Sequence, residues 1–130
     1  MGNLVSQVLG ANSLYYTYDT QNRLASVSGN RTGSYTYDAY GDILAGAGSS
    51  YTYDGVPNLS CVNCGTANQV ANTYDGLNQR VSVTKGGVKT YEVYGSHGNL
   101  LAEYTPSQAN KLVEYIYLGG KRVAQRETSQ

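Results

Sequence analysis

Phenylalanine and tryptophan are absent from this chain of 130 residues, histidine occurs once, and cysteine and proline occur twice each. Charged side chains make up 14% of the residues, and nine basic ones cancel nine acidic ones. Each shortage removes a class of function. Zero net charge carried by few groups lacks the electrostatic footprint of a nucleic-acid or anionic-membrane binder. No apolar run approaches the roughly 20 residues of a membrane-spanning helix. The opening Met1-Gly2-Asn3-Leu4-Val5-Ser6 has neither the basic region nor the apolar stretch of a signal peptide, so export would use another route. No nucleophile-base signature, phosphate-binding glycine loop or metal-ligand cluster is visible, so the chain reads as non-enzymatic, with no cofactor and no metal.

The two cysteines form Cys61-Val62-Asn63-Cys64. Tetrahedral zinc would require a second pair or histidines, and His97 lies more than 30 residues further on. A redox pair belongs at a helix N-terminus, and no helix is read here. Two small side chains at a strand end, or a local disulfide, remain. His97 reads as a solvated turn residue.

What the chain has is 14 tyrosines and 16 glycines. Its organising phrase is Tyr16-Thr17-Tyr18-Asp19, which returns as Tyr35-Thr36-Tyr37-Asp38, as Tyr51-Thr52-Tyr53-Asp54 and, shortened, as Thr73-Tyr74-Asp75. Tyr91-Glu92-Val93-Tyr94-Gly95 and Tyr115-Ile116-Tyr117-Leu118 keep the aromatic part without the acid. The aspartates at 19, 38, 54 and 75 are 19, 16 and 21 residues apart, which marks a repeat architecture. Alternation around a β-branched residue favours strand and puts both tyrosines of a phrase on one face. After the acid come Asn22, Gly41, Asn78 and Gly98, residues that tolerate positive φ, while the Asp can bond to the backbone two residues on. Each phrase therefore reads as strand, turn and return strand.

The fold class expected is all-β: tandem antiparallel hairpins in one continuous sheet with a tyrosine stripe as its core. One repeat region covers 1–130 in about six hairpin units, 14–28, 33–46, 49–63, 71–85, 88–104 and 111–125, with a frayed polar tail at 126–130. An opening strand, Leu4 to Leu9, precedes a turn at Gly10 to Ser13. Gly86-Gly87 and Gly119-Gly120 suit two-residue hairpin turns. Pro57 stands where other units have Gly or Asn and cannot adopt positive φ, so Asn58 is expected to take the left-handed place and shift the register of Leu59 to Asn63. Leu24 and Val27, like Leu100 and Leu101, have opposite parity, which calls for bulges or for cover on both faces. Side chains of nearby Asp, Asn, Ser and Thr are expected to satisfy the tyrosine hydroxyls.

The pattern Tyr-x-Tyr-Asp-x-x-Gly/Asn-x-Arg/Leu resembles the YD repeat of the RHS family, which includes bacterial polymorphic toxins, toxin-complex components and the teneurins. Tyr16 to Leu24, Tyr35 to Leu44, Tyr51 to Leu59, Thr73 to Val81 and Tyr91 to Leu100 carry it. Glu114 to Ala124 is similar to a segment near the C-terminal end of the RHS core. The resemblance implies a segment of a spirally wound β-shell that encloses or presents a toxin payload, secreted or at the cell surface through a specialised route. The self-cleavage motif of RHS toxins is not matched, so neither cleavage nor a payload carries over to this chain. Met1 appears in the repeat frame partway through a unit, because Gly2-Asn3-Leu4 parallels Gly98-Asn99-Leu100, which implies a piece of a longer chain. Partners would be the remainder of the shell, or copies of the chain meeting through the open edges Leu4 to Leu9 and Lys121 to Gln125. The alternative is a carbohydrate- or receptor-binding module using Tyr and Asp surfaces. A carboxylate beside a phenol could act as acid or base, but recurrence at every turn favours a turn-forming role for the acids.

Overall fold

Strand-favouring phrases separated by turn residues leave little room for other structure. In the computed structural model, which describes residues 2–130, no helix occurs among the described residues. The strands are β1 (Ser6–Leu9), β2 (Asn12–Tyr18), β3 (Leu24–Gly29), β4 (Gly33–Ser34), β5 (Thr36–Tyr37), β6 (Ile43–Gly46) and β7 (Ser49–Tyr53). They continue as β8 (Leu59–Val62), β9 (Val70–Tyr74), β10 (Arg80–Lys85), β11 (Val88–Tyr94), β12 (Leu100–Thr105), β13 (Lys111–Leu118) and β14 (Lys121–Thr128). The all-β antiparallel class is as the sequence indicates.

The chain forms two compact units, residues 1–51 and 52–130. In the first, β1, β2, β3 and β4 are neighbours in that order, and β5 pairs β6, which pairs β7. The ladder is interrupted at Tyr35, so the expected unbroken ribbon is divided between β4 and β5. The Tyr35 N–H turns to the Ala25 carbonyl at 2.9 Å, and its ring lies against Gly46, where an added Cβ would come within 2.5 Å of Cδ1. In the second unit β8 to β14 are neighbours in chain order, every pair antiparallel.

The parity conflict resolves as bulges. Register shifts fall between Thr17 and Tyr18, Thr36 and Tyr37, Arg80 and Ser82, Val93 and Tyr94, and Ile116 and Tyr117. Each leaves Ala25, Leu44, Val81, Leu101 or Val123 as the extra residue of a return strand. One extra residue reverses the alternation beyond it, so apolar groups on either side of the bulge address one face.

The tyrosine stripe is a half-buried face and not a closed core. No large side chain is fully buried, and the buried residues include Cys61, Ser82, Glu92 and Thr105. In the second unit strands make substantial contact only with their neighbours in the sheet, as expected of a quasi-one-dimensional repeat array.

Two further local expectations give way. The first turn is confined to Gly10-Ala11, because Leu9 already faces Asn12. The tail is strand as far as Thr128, held by Lys111–Glu127 and Glu114–Arg126 ion pairs whose partners the sequence scattered over 16 and 12 positions.

Candidate functional site

Asp19, Asp38, Asp54 and Asp75 share one geometry. At Asp75 a single carboxylate oxygen accepts the N–H of Leu77 at 2.8 Å and of Gln79 at 2.9 Å, while the Asp75 N–H donates to the Gln79 carbonyl at 2.9 Å and the Asn78 N–H to the Asp75 carbonyl at 3.1 Å. Asp19 takes Gln21 and Arg23 in the same way, and Asp38 takes Tyr40 and Asp42. Asn22, Gly41, Asn78 and Gly98 all have positive φ, between 60° and 94°. The contact two residues on was legible in the sequence; the one four residues on was not. With one oxygen holding two amides, the carboxylate is the nucleus of the turn. The N–H of Arg23 in first place, together with its guanidinium and the N–H of Gln21, holds the Asp19 carboxyl below the usual carboxylate range. Asn58 in first place, with Val56, does the same for Asp54.

Two turns vary the scheme. At Asp54 the fourth residue is Pro57, which has no N–H to give the Asp54 carbonyl. The carboxylate still takes Val56 and Asn58, both at 3.0 Å, and the Asp54 N–H still reaches the Asn58 carbonyl. Asn58 has no positive φ, so the expected left-handed substitution does not occur: the carboxylate contacts close the turn without it. At Gly95 the acid is missing, yet Gly95 N–H to Asn99 and Gly98 N–H to Gly95 persist at 2.9 and 3.0 Å. Gly86-Gly87 and Gly119-Gly120 have positive φ at both positions, the geometry of type I′ turns.

In four phrases the second tyrosine links successive repeats, while Tyr94 turns to Glu92 of its own phrase. Tyr18 donates its hydroxyl to the Leu4 carbonyl at 2.6 Å, Tyr37 to Leu24 at 2.9 Å, Tyr74 to Leu59 at 2.8 Å and Tyr117 to Leu100 at 2.8 Å. The acceptors are main-chain atoms of the preceding return strand, not the neighbouring polar side chains expected. Residues four places after the turn start also reach forward. Arg23 donates to the Asp38 carbonyl at 3.3 Å with its guanidinium 4.5 Å from the Tyr37 ring, and Asn58 donates to the Asn78 side chain at 3.0 Å.

Phrase position decides where each aromatic residue sits. Tyr16, Tyr18, Tyr35, Tyr37, Tyr51, Tyr53, Tyr74, Tyr94, Tyr115 and Tyr117 are half-buried, whereas Tyr91 is 43% exposed. Counting back from Gly95, the first aromatic place of the fifth phrase belongs to Glu92, and in the fourth phrase to Asn72. Glu92 is the group that the sequence reading missed. It is 6% exposed and takes both prongs of the Arg80 guanidinium, at 2.9 and 2.7 Å, plus the Tyr94 hydroxyl at 3.1 Å. Burial, then that bond to Glu92, pushes the Tyr94 phenol above its ordinary range, and the bond to Glu92 raises Arg80. Glu92 faces Glu103 directly across the ladder. Like charges in that position repel, and each has its own partner: Glu103 accepts the Tyr115 hydroxyl, a bond that heads the causes raising the Tyr115 phenol, with burial next.

Cys61 and Cys64 are joined as a disulfide. His97 sits in the exposed Gly95 turn, its Nδ1 3.1 Å from the Ser96 hydroxyl. Among the described residues no three His, Cys, Asp or Glu come together as a metal site, and no helix is long and apolar enough to cross a membrane. The first unit has an open cavity of about 490 Å³ lined by residues including Tyr16, Tyr35, Leu14, Leu24 and Arg31.

Fold and turns together define a tandem antiparallel hairpin-repeat protein. No family model matches the chain, and no curated protein matches it. Among solved structures, the crystal structure of TcdB2-TccC3-Cdc42 aligns over 91% of this chain with 16% identity and a TM-score of 0.42; the aligned part is 6% of that chain's length.

Proposed function

We propose that the chain is a structural, non-catalytic segment of an RHS-type shell that encloses or presents a toxin payload, reaching the outside of the cell by a specialised secretion route. The observation that carries this reading is the repeated Asp turn. Four carboxylates are each occupied by two backbone amides, and the hydroxyls of Tyr18, Tyr37, Tyr74 and Tyr117 are spent on tying one hairpin to the next, which engages these groups in architecture. The test is limited proteolysis of the natural product that contains this segment. The payload should resist digestion until the sheet is unfolded by denaturant; a payload cut as fast as free polypeptide while the repeats remain folded refutes enclosure.

One observation favours a second reading, a carbohydrate-binding surface. The tyrosine face is only half-buried, and the cavity beside Tyr16 and Tyr35 is open, with Leu14, Leu24, Val27 and Arg31 among its lining residues. A glycan array probed with the chain and with Tyr35→Ala decides it: binding that the variant loses supports the reading, and a blank array removes it.

A further inference from the structure

Three side chains at one cavity have donors without a protein acceptor. The open cavity of about 490 Å³ in the first unit lies where the ladder breaks at Tyr35, with lining residues from β2, β3, β4 and the turn at Ala47. Arg31, Thr32 and Tyr35 are among those residues. Among the described residues no hydrogen bond or ion pair occupies the Arg31 guanidinium or the hydroxyls of Thr32 and Tyr35. The Tyr16 hydroxyl, by contrast, is spent on the Gln7 side chain at 3.1 Å, so Tyr16 offers the cavity only its ring. Leu14, Leu24 and Val27 are half-buried and apolar. The Tyr35 ring is packed against Gly46, where a side chain would displace it, so this wall is set before any ligand arrives.

Charge decides what such a cavity selects. Arg31 only donates and is always charged, and none of the described lining residues has a carboxylate or amide side chain to neutralise it. A cationic ligand would meet that charge uncompensated, and a neutral one would leave it unused. One cation with no second beside it matches a monoanion, and the guanidinium fork matches the two oxygens of a carboxylate. Binding cavities for small molecules span roughly 300–1,000 Å³ and combine apolar lining with a few polar groups, which is the composition here.

We propose that this cavity binds an amphipathic carboxylate, whose acid group takes Arg31 and the hydroxyls of Thr32 and Tyr35 while its apolar body covers Leu14, Leu24, Val27 and the Tyr16 ring. The inference does not depend on the scaffold reading. It goes beyond the glycan reading of the same cavity, which asks only for an exposed ring face, by selecting on charge.

The test uses the full chain labelled with nitrogen-15 and three probes of one shape: 2-naphthoate, the neutral 2-naphthalenemethanol and the cationic 2-naphthylmethylammonium, each titrated to millimolar concentration. Amide shifts should centre on residues 14–16, 24–27, 31–35 and 47, with naphthoate bound most tightly and the ammonium least. Arg31→Gln, at an exposed position where folding should be unaffected, should weaken naphthoate about fivefold, the worth of a well-formed exposed charge pair, and leave the alcohol unchanged. Tyr35→Phe keeps the ring and should weaken naphthoate about two- to tenfold, the range of one hydrogen bond. Absence of shifts at these residues, shifts spread evenly over both units, equal affinity for the three probes, or naphthoate binding indifferent to Arg31→Gln would each overturn the assignment. A blank glycan array beside naphthoate binding removes the sugar reading alone, and a silent naphthoate titration beside a positive array removes only the carboxylate site.

Discussion

The hydroxyl of Tyr74 donates to the main-chain carbonyl of Leu59 across 15 positions of sequence, at 2.8 Å, and the Asn72 amide shares that acceptor at 3.0 Å. The same long-range bond recurs three times in the chain, so the phrase tyrosine couples neighbouring hairpins as well as covering them. Removing the oxygen alone isolates that coupling. Tyr74→Phe keeps the ring and should lower the unfolding free energy by about 0.5–1.5 kcal/mol in urea titration. Tyr40→Phe, at a position 91% exposed, is the control and should change nothing. Equal midpoints for the two variants would show that the ring is all that counts.

The Asp turn makes a distinction between acceptor and charge. Asp75→Asn retains an oxygen for the Leu77 and Gln79 amides, whereas Asp75→Ala removes it. The alanine variant should lose on the order of 1–2 kcal/mol and the asparagine variant only a small part of that, since side-chain acceptors for orphan amides have this worth at helix caps. Thermal melts of the three proteins measure it. An asparagine variant as unstable as the alanine one would make charge, and not hydrogen bonding, the source of turn stability.

Acid and base should erode the fold for different reasons. Asp19 and Asp54 titrate below their ordinary value of 3.8 in the folded chain. A depressed folded value means stability that is complete above the unfolded value and is lost as pH falls below about 3.8 through the folded one. Tyr94 and Tyr115 are raised above 10.0, so their contribution is complete below pH 10 and is lost as pH climbs past it through their folded values. Unfolding midpoints between pH 2 and 12 should show a plateau with a shoulder at each end. Replacing Tyr94 and Tyr115 by Phe should flatten the alkaline shoulder alone.

Strand, turn and hairpin order were legible because the phrase encodes each locally: Tyr18 alternates with Tyr16, Asp19 opens a turn, and Asn22 accepts positive φ. Bulges were legible only as a conflict, the parity of Leu100 against Leu101, since one inserted residue leaves no signature beyond that. The Tyr74–Leu59 link was hidden because a main-chain acceptor has no sequence identity. Glu92 was missed because Tyr91 drew the alignment. Counting three positions back from the turn start at Gly95, as from Asp19 to Tyr16, would have found it. Asn58 misled because the sequence suggested that a turn must have a left-handed residue, whereas the Asp54 carboxylate contacts and the Asp54 N–H to Asn58 carbonyl bond close this one without it.

The Arg80–Glu92 pair gives the sharpest mutational contrast. The Glu92 side chain is 3% exposed and that of Arg80 42%, so the pair is buried at its acidic end and open at its basic end. Removing the cation strands a carboxylate inside the sheet, opposite Glu103, with only the Tyr94 hydroxyl left to it. Arg80→Ala should therefore cost about 3 kcal/mol, near the lower end for broken buried pairs because water can approach from the Arg80 side. Glu92→Gln keeps hydrogen bonding, relieves the repulsion across the ladder and should cost less. In the double variant the cost of Arg80→Ala should shrink, because no buried charge is left behind. A double-mutant cycle by urea unfolding reads the difference directly, and strict additivity would mean that the two side chains act on stability independently.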